Sequence, residues 1–331
     1  MRIFFNKIYS EQRGSVAVVT AIFMFVLIGL SAFVLDLGVY YNEAAKLQNS
    51  LDSAVLAAVQ ELPADNTNTA AWAEAENEAI SYALLNNIVI TTDDIQPIYK
   101  DNVTTNKIIG IKAIKSIVVD YNFAKVLSIN SGTATRTSSA GLSPAGGVTG
   151  AIPLSITASS LNNAIAAGAV TGLTIKCSSN SSDIAIDIAT ASGWFGALRF
   201  EGSGASVYSD LLAYGYSGTL TVGQVLNMEN GNMSGPTMDG FTRRYSKCEA
   251  GCTAESYLPD CPKLVYLPVV EVISSSQVKI VSFATFFLLD CGGNGNNSYI
   301  KATYIKDTVL PDAAAGASGQ DFGLCISKLF E

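Results

Sequence analysis

The sequence predicts an α+β protein: a single N-terminal transmembrane helix extended into an exported helix pair, a small α+β region, then a mainly β, disulfide-stapled C-terminal domain. Three observations carry this. Ser15 to Val34 holds twenty residues without a charge. An alanine-rich apolar stripe at helical spacing follows it without a break. All six cysteines fall late in the chain, among short runs rich in Val, Ile, Phe and Tyr. The implied order is a cytoplasmic N-terminus over 1–14, a span over 15–34, a helical and α+β region over 35–140, a linker at 141–150 and a β-rich extracytoplasmic domain over 151–331.

The span comes first. At 1.5 Å per residue, twenty residues reach about 30 Å, the hydrocarbon thickness of a bilayer. Before it lie Arg2, Lys7 and Arg13 against Glu11; after it come Asp36 and Glu43. Positive residues stay on the cytoplasmic side, so everything from Asp36 onward is expected outside a cell membrane crossed once. Beyond the span, Leu47, Leu51, Ala54, Val55, Ala58 and Leu62 recur at spacings of three and four. Pro63 ends that helix, since proline neither donates the required bond nor fits the preceding turn. A second helix is predicted over Ala70 to Leu85, with Thr69 as its cap. The short connection favours packing of the two helices within one chain over pairing between subunits.

After Asn87 the texture turns to β-type runs, Ile88 to Thr91, Lys107 to Ile114 and Ile117 to Tyr121. A short helical stretch at Phe123 to Leu127 precedes a strand at Thr133 to Ser139. Ser138 to Gly150 is small, uncharged and rich in Gly and Pro, and reads as a domain boundary. Farther on, strands are expected around Ile175, Ile184 to Ile188, Ala197 to Phe200, Leu264 to Val272, Gln277 to Leu289 and Tyr299 to Ile305. Asp290 to Ser298 would be a hairpin loop, and Ser206 to Ala213 a helix.

Composition narrows the function. With 331 residues, 49% of them hydrophobic and 15% charged, long disorder is excluded. The net charge of −8 and the lack of a basic tract argue against nucleic acid as a partner. There is no histidine, which removes Ser-His-Asp and Cys-His nucleophile systems, H-E-x-x-H metal sites and His-bound haem. An enzyme would need carboxylates, lysine or an external cofactor.

The cysteines are Cys177, Cys248, Cys252, Cys261, Cys291 and Cys325. An even count in an exported β-rich domain reads as three disulfides, with fifteen pairings open. Cys248, Cys252 and Cys261 would staple one long loop, with Cys291 a near partner, and Cys177 and Cys325 would tie the start of the domain to its end. The rival is a four-thiolate zinc site, but C-x-x-x-C-x(8)-C lacks paired C-x-x-C knuckles and the outside of the cell is oxidising.

Other motifs are weak. Gly202 to Ser206, GSGAS, could cradle an anion but holds no cation, so a plain turn is expected. Asp187 to Ser192, DIATAS, is one residue too long for the D-x-S-x-S metal loop of von Willebrand-type adhesion domains. The Asp290 to Ser298 loop has one carboxylate, too few for a strong calcium site. No catalytic, cofactor or metal constellation emerges.

Arg13 to Leu62 resembles the N-terminal region of TadG-like (Tad-domain) proteins of the Flp, or tight-adherence, pilus assembly system. Members start with Arg-Gly and a small residue, run through an apolar span into Val-Asp-x-Gly, and continue into an alanine-rich Leu-Gln-Asn helix. Here those elements are Arg13, Gly14 and Ser15, then Leu35, Asp36, Leu37 and Gly38, then Leu47, Gln48 and Asn49 through Asp52, Ala54, Ala57 and Ala58. Tyr121 to Ala140 is similar to a second family stretch, an aromatic-Ala-x-Val-Leu-Gly-Ile helix before an Ala-Thr-Ala strand, with Ser128 where glycine is usual. The remainder is more loosely similar, through IPLSI, GWFGALRF, LTVGQVLNMENGNMSGPT and VSFATFFL.

The resemblance implies a membrane-anchored structural component of pilus assembly. Its partners would be membrane lipid and other Tad/Flp pilus-assembly proteins, with oligomerisation through the Leu47–Leu62 stripe as an option. It implies no catalysis and no cofactor. It also marks Gly14 and Ser15 as a candidate processing site. Cleaved prepilins of the system usually carry Glu at the fifth residue after that glycine, where this chain has Val19. The departure favours a retained anchor over a filament subunit. Two other functions compete with this one: an adhesin or ligand-binding module, and a carboxylate-based envelope hydrolase.

Overall fold

The computed structural model describes residues 2–104, 106–176, 194–295, 298–310 and 320–330. The chain forms two units, Met1–Gly141 with Leu329–Glu331, and Leu142–Lys328.

The first unit is built on helix α1 (Arg2–Ala58). A single turn of 3₁₀ helix, Val59–Glu61, closes it just ahead of Pro63. The segment from Val16 onward is the one helix among the described residues long and apolar enough to cross a membrane, and its apolar stretch is not buried by the rest of the chain. The character of α1 changes at Asp36. Before it, large apolar side chains are exposed on all faces; after it, Ala44, Leu47, Leu51, Ala54, Val55 and Ala58 are fully buried.

Helix α2 (Ala70–Leu85) covers that stripe. Thr69 caps it, its hydroxyl accepting from the Trp72 N–H at 3.3 Å. Ala75, Ala79 and Ala83, spaced by four, form its buried face with Trp72. Alanines at that spacing let the two backbones approach, and the Ser50 hydroxyl accordingly donates to the Ala83 carbonyl. The helix pair therefore forms within one chain.

Three antiparallel strands follow in the order β1 (Ile95–Tyr99), β2 (Ile108–Asp120) and β3 (Ser131–Pro144). The two runs expected around residues 107–121 are one strand. Ile88 to Thr91 is not a strand. Asp94 accepts from the Thr91 N–H at 2.9 Å and closes a capped 3₁₀ turn, a local bond that outcompetes a ladder. The expected helical stretch near Phe123 is a 3₁₀ turn, Ala124–Leu127, ended by Ser128 in the left-handed region at φ 62.

The second unit contains β4 (Gly147–Thr149), β5 (Ile156–Thr157), α3 (Ala158–Ala166), β6 (Leu173–Lys176), β7 (Trp194–Arg199), α4 (Ala205–Tyr214), β8 (Thr219–Thr221), β9 (Val225–Asn230), α5 (Ser234–Tyr245), β10 (Leu264–Val272), β11 (Gln277–Gly292), β12 (Tyr299–Ile305), β13 (Thr308–Val309) and all but the last two residues of β14 (Leu324–Phe330). Residues 138–150, which composition reads as a boundary, thus hold the end of β3 and all of β4. The main sheet runs β5-β10-β11-β12-β6, with β9 also pairing β11 and β7 pairing β9. The β5–β10 pair is parallel; β10–β11 and β11–β12 are antiparallel.

One face of this sheet presents Val265, Leu267, Ala284, Phe286, Leu288, Ile300 and Ala302 to Leu161 of α3, Leu212 of α4 and Phe241 of α5. The opposite face buries Val278, Ile280 and Phe283. Burial on both faces explains why Ser282 to Leu289 reads as a continuous apolar run instead of an alternating one. The strand expected at Ile184 to Ile188 lies outside the described residues.

The disulfide-stapled description needs correction. Among the described residues Cys248, Cys252, Cys261 and Cys291 are free thiols, and Cys177 lies outside them. Cys248 Sγ and Cys261 Sγ lie 3.6 Å apart, against about 2.05 Å for a bond. Hydrophobic layers on both faces of the sheet hold this unit together.

Candidate functional site

Two constellations stand out, one in each unit. The first is built around Asp36, at the point where α1 changes character. Its side chain is only 2% exposed. Its carboxylate accepts from three successive backbone N–H groups: Asn122 at 2.8 Å, Phe123 at 3.0 Å and Ala124 at 2.6 Å. These are the donors that open the 3₁₀ turn Ala124–Leu127, so Asp36 acts as a cap supplied from 86 residues away. Burial works to raise this carboxyl. The N–H groups of Ala124, Asn122 and Phe123, with the nearby Lys125 charge, outweigh it and hold Asp36 below the ordinary carboxylate value.

The residues that follow on the same face extend the grip. Tyr40 donates its hydroxyl to the Thr133 carbonyl at 3.2 Å. Ala44 packs between Val119 and Ala134. Gln48 donates to the Thr137 carbonyl at 3.3 Å and to Asp52 at 2.8 Å. Spaced by four, positions 36, 40, 44 and 48 share a helix face and meet the β2–β3 hairpin at 122–124, 133, 134 and 137 in turn. A Cβ at Gly132 would meet the Tyr121 phenol, so that ring would have to shift to admit a larger residue.

Above Asp36 the segment from Tyr121 to Ile129 stands against the apolar length of α1. Between them lies a groove of about 450 Å³, lined on the helix by Phe25, Ile28, Ala32 and Phe33, and opposite by Phe123, Val126 and Ile129. Val126 is 84% exposed, and Phe123 and Ile129 are also exposed.

The other motif residues fare differently. Leu47 is buried against α2, whereas Asn49 is exposed. A Cβ on Gly38 would meet open space, so nothing in the monomer explains that glycine. The backbone of Arg13, Gly14 and Ser15 lies inside α1.

The second constellation gathers three of the cysteines. The sulfurs of Cys248, Cys252 and Cys261 all lie within 4.8 Å of one another. Leu264, Phe287, Tyr257 and Leu289 wall them in. The Cys252 N–H bonds to the Cys248 sulfur and draws that thiol below its ordinary value. Burial pushes Cys261 up to about 11, although the Lys263 N–H bonds to its sulfur. Cys291 does not join them; it packs against the main core instead. The sequence grouped these three as staples of one loop; the structure brings them together, but as free thiols and without Cys291.

Elsewhere the candidates fall back to structure. Gly202 and Gly204 take positive φ, and Gly204 caps α4, which is the turn expected for GSGAS. Asp290 accepts from the Tyr299 hydroxyl at 2.9 Å across the β11–β12 hairpin. Asp210 and Asp239 share Arg243 at 2.9 and 3.2 Å. Asp187 to Ser192 lies outside the described residues.

Residues 14–61 match the Tad family model, described as "Putative Flp pilus-assembly TadE/G-like". The match begins at Gly14 and ends with the last turn of the first helix, so it covers Asp36 and the buried stripe. No curated protein and no solved structure matches the chain.

Proposed function

We propose that this chain is a structural component of Flp/Tad-type pilus assembly, anchored in the cell membrane by α1, with its N-terminus cytoplasmic and its folded body outside. It works by holding other pilus-assembly proteins at the membrane and carries out no reaction of its own. The observation that carries this reading is the family match at 14–61, which falls on the apolar length of α1 and on the stripe beyond it.

The fold adds a distinction between anchor and filament subunit. A subunit that leaves the membrane in a filament needs a free helix face for its neighbours. Here Leu47, Leu51, Ala54, Val55 and Ala58 are already buried inside their own chain. Val19 also lacks the carboxylate that would pair with a neighbour's new amino terminus, an intramembrane charge that costs at least about 2.5–3.5 kcal/mol when unpaired. The chain therefore stays in the membrane uncut at Gly14.

Protease added to spheroplasts tests the orientation: digestion of everything after about Tyr40, leaving a small protected stub, is expected. Full protection of the folded body would overturn it. Crosslinking in cells that carry the whole secretion locus should recover other pilus-assembly proteins. N-terminal peptide mapping that finds a chain beginning at Ser15, or this chain at subunit stoichiometry in sheared pili, would refute the anchor.

A further inference from the structure

We propose that Cys248, Cys252 and Cys261 bind one thiophilic divalent cation of the zinc class, as a three-thiolate site whose charge is balanced by Lys263. The geometry comes first. Two thiolates on a tetrahedral zinc at about 2.3 Å lie about 3.8 Å apart. Cys248 and Cys261 sulfurs are 3.6 Å apart, and the third sulfur lies within 4.8 Å of both. A disulfide would take two of the three and strand the third beside it; a metal ion takes all three.

The hydrogen bonds are those a thiolate site needs. The Cys252 N–H reaches the Cys248 sulfur and the Lys263 N–H reaches the Cys261 sulfur. Such donors orient ligand sulfurs and spread their negative charge.

The charges point the same way. Lys263 is 8% exposed, its ammonium lying 3.5 Å from the Cys252 carbonyl and 4.1 Å from the centre of the Tyr245 ring. Arg244, also 8% exposed, donates to the Pro262 carbonyl between Cys261 and Lys263. Among the described residues neither cation pairs with a carboxylate. A buried cation without an anion is costly. Three thiolates around a divalent ion carry one net negative charge, which the Lys263 ammonium cancels. On binding, each thiol gives its proton to solvent, so affinity falls with acid. Soft sulfur donors select zinc-class ions over magnesium or calcium.

The test uses the full-length chain, reduced and purified in detergent without chelator. Cobalt(II) added alone should give an intense sulfur-to-metal charge-transfer band saturating at one ion per chain. Zinc should bleach that band and slow alkylation of the half-exposed Cys248 about tenfold or more. Cys252→Ser and Cys261→Ser should abolish the band, and Cys325→Ser should keep it. The alkylation comparison is made in the unaltered chain, so it holds even if a variant fails to fold. Absence of the band in the reduced chain would overturn the proposal. So would alkylation of Cys248 unaffected by zinc, or a stoichiometric disulfide joining two of the three in unreduced protein taken from cells.

Discussion

Leu51→Ala is the sharpest probe of whether the stripe on α1 serves its own chain. Leu51 is fully buried, and the helix facing it presents Ala75, Ala79 and Ala83. Leucine-to-alanine changes in cores cost about 2–5 kcal/mol, the spread reflecting how far the neighbours collapse into the space. Alanines have no rotamers with which to fill it, so the cost belongs in the upper part, about 3–5 kcal/mol. The readout is amide hydrogen exchange of α2 in the full-length protein. Protection there should fall by roughly two to three and a half powers of ten, at about 1.4 kcal/mol per decade. Leu84→Ala, on the exposed side of α2, is the control and should cost under about 0.5 kcal/mol. If the two variants behave alike, the stripe does not hold this chain together, and its apolar residues would have to answer to another subunit.

Two further outcomes are expected. Acid should release the segment held by Asp36 and loosen the Asp94–Lys115 contact at 2.7 Å. Burial opposes ionisation of Asp94, but the Lys115 ammonium and the Thr91 N–H outweigh it, and both carboxyls sit below their ordinary value in the folded chain. The stabilisation is therefore complete above the unfolded value of about 3.9 and is lost as pH falls through the lower folded values. Exchange of the Asn122 to Ala124 amides that accelerates between pH 8 and 6 instead would contradict this. For the exposed apolar segment, Val126→Trp in vesicles of lipids with brominated chains should show quenched emission. Val89→Trp, also exposed in the fold but not among the residues that line the groove, should not. Equal emission from both would remove the segment from the bilayer.

How much of this was legible in the sequence depended on the range of the interactions. The helices α1 and α2 follow from local pattern: an uncharged run, a stripe at threes and fours, a threonine cap and a proline stop. Strands β10 and β12 were equally plain, because both carry dense β-branched and aromatic runs with clear boundaries. Helix α5 was missed because Gly235, Pro236 and Gly240 suppress every helical signal in it. Yet Gly240 is there for packing, since a Cβ would strike the Ser209 carbonyl of α4. Strand β1 was missed because the apolar run Ile88 to Thr91 ahead of it looked like strand, while Pro97 inside β1 argued against one. The cysteines show the limit most clearly. Their spacing grouped Cys248, Cys252 and Cys261 on one loop, but their number suggested disulfides and the missing C-x-x-C pairs argued against metal, whereas the loop gathers three free sulfurs over Phe287.

Asp36 unites the two halves of α1. A carboxylate cannot sit unpaired in hydrocarbon, so its place fixes where the apolar length must end. An ordinary surface aspartate would satisfy that condition with water. This one is buried, and three N–H groups from a distant loop replace the water. Because the loop is held at the level of Asp36, its apolar residues Phe123, Val126 and Ile129 face the last turns of the apolar helix. Below that point Tyr40, Ala44 and Gln48 bind the same hairpin along about 18 Å of helix. All four attachments lie on one face, so rotation of α1 about its axis would break them together. The apolar helix and the sheet of the first unit consequently turn as one body. For a component whose proposed task is to hold an assembly against the membrane, that rigidity is what the buried carboxylate provides.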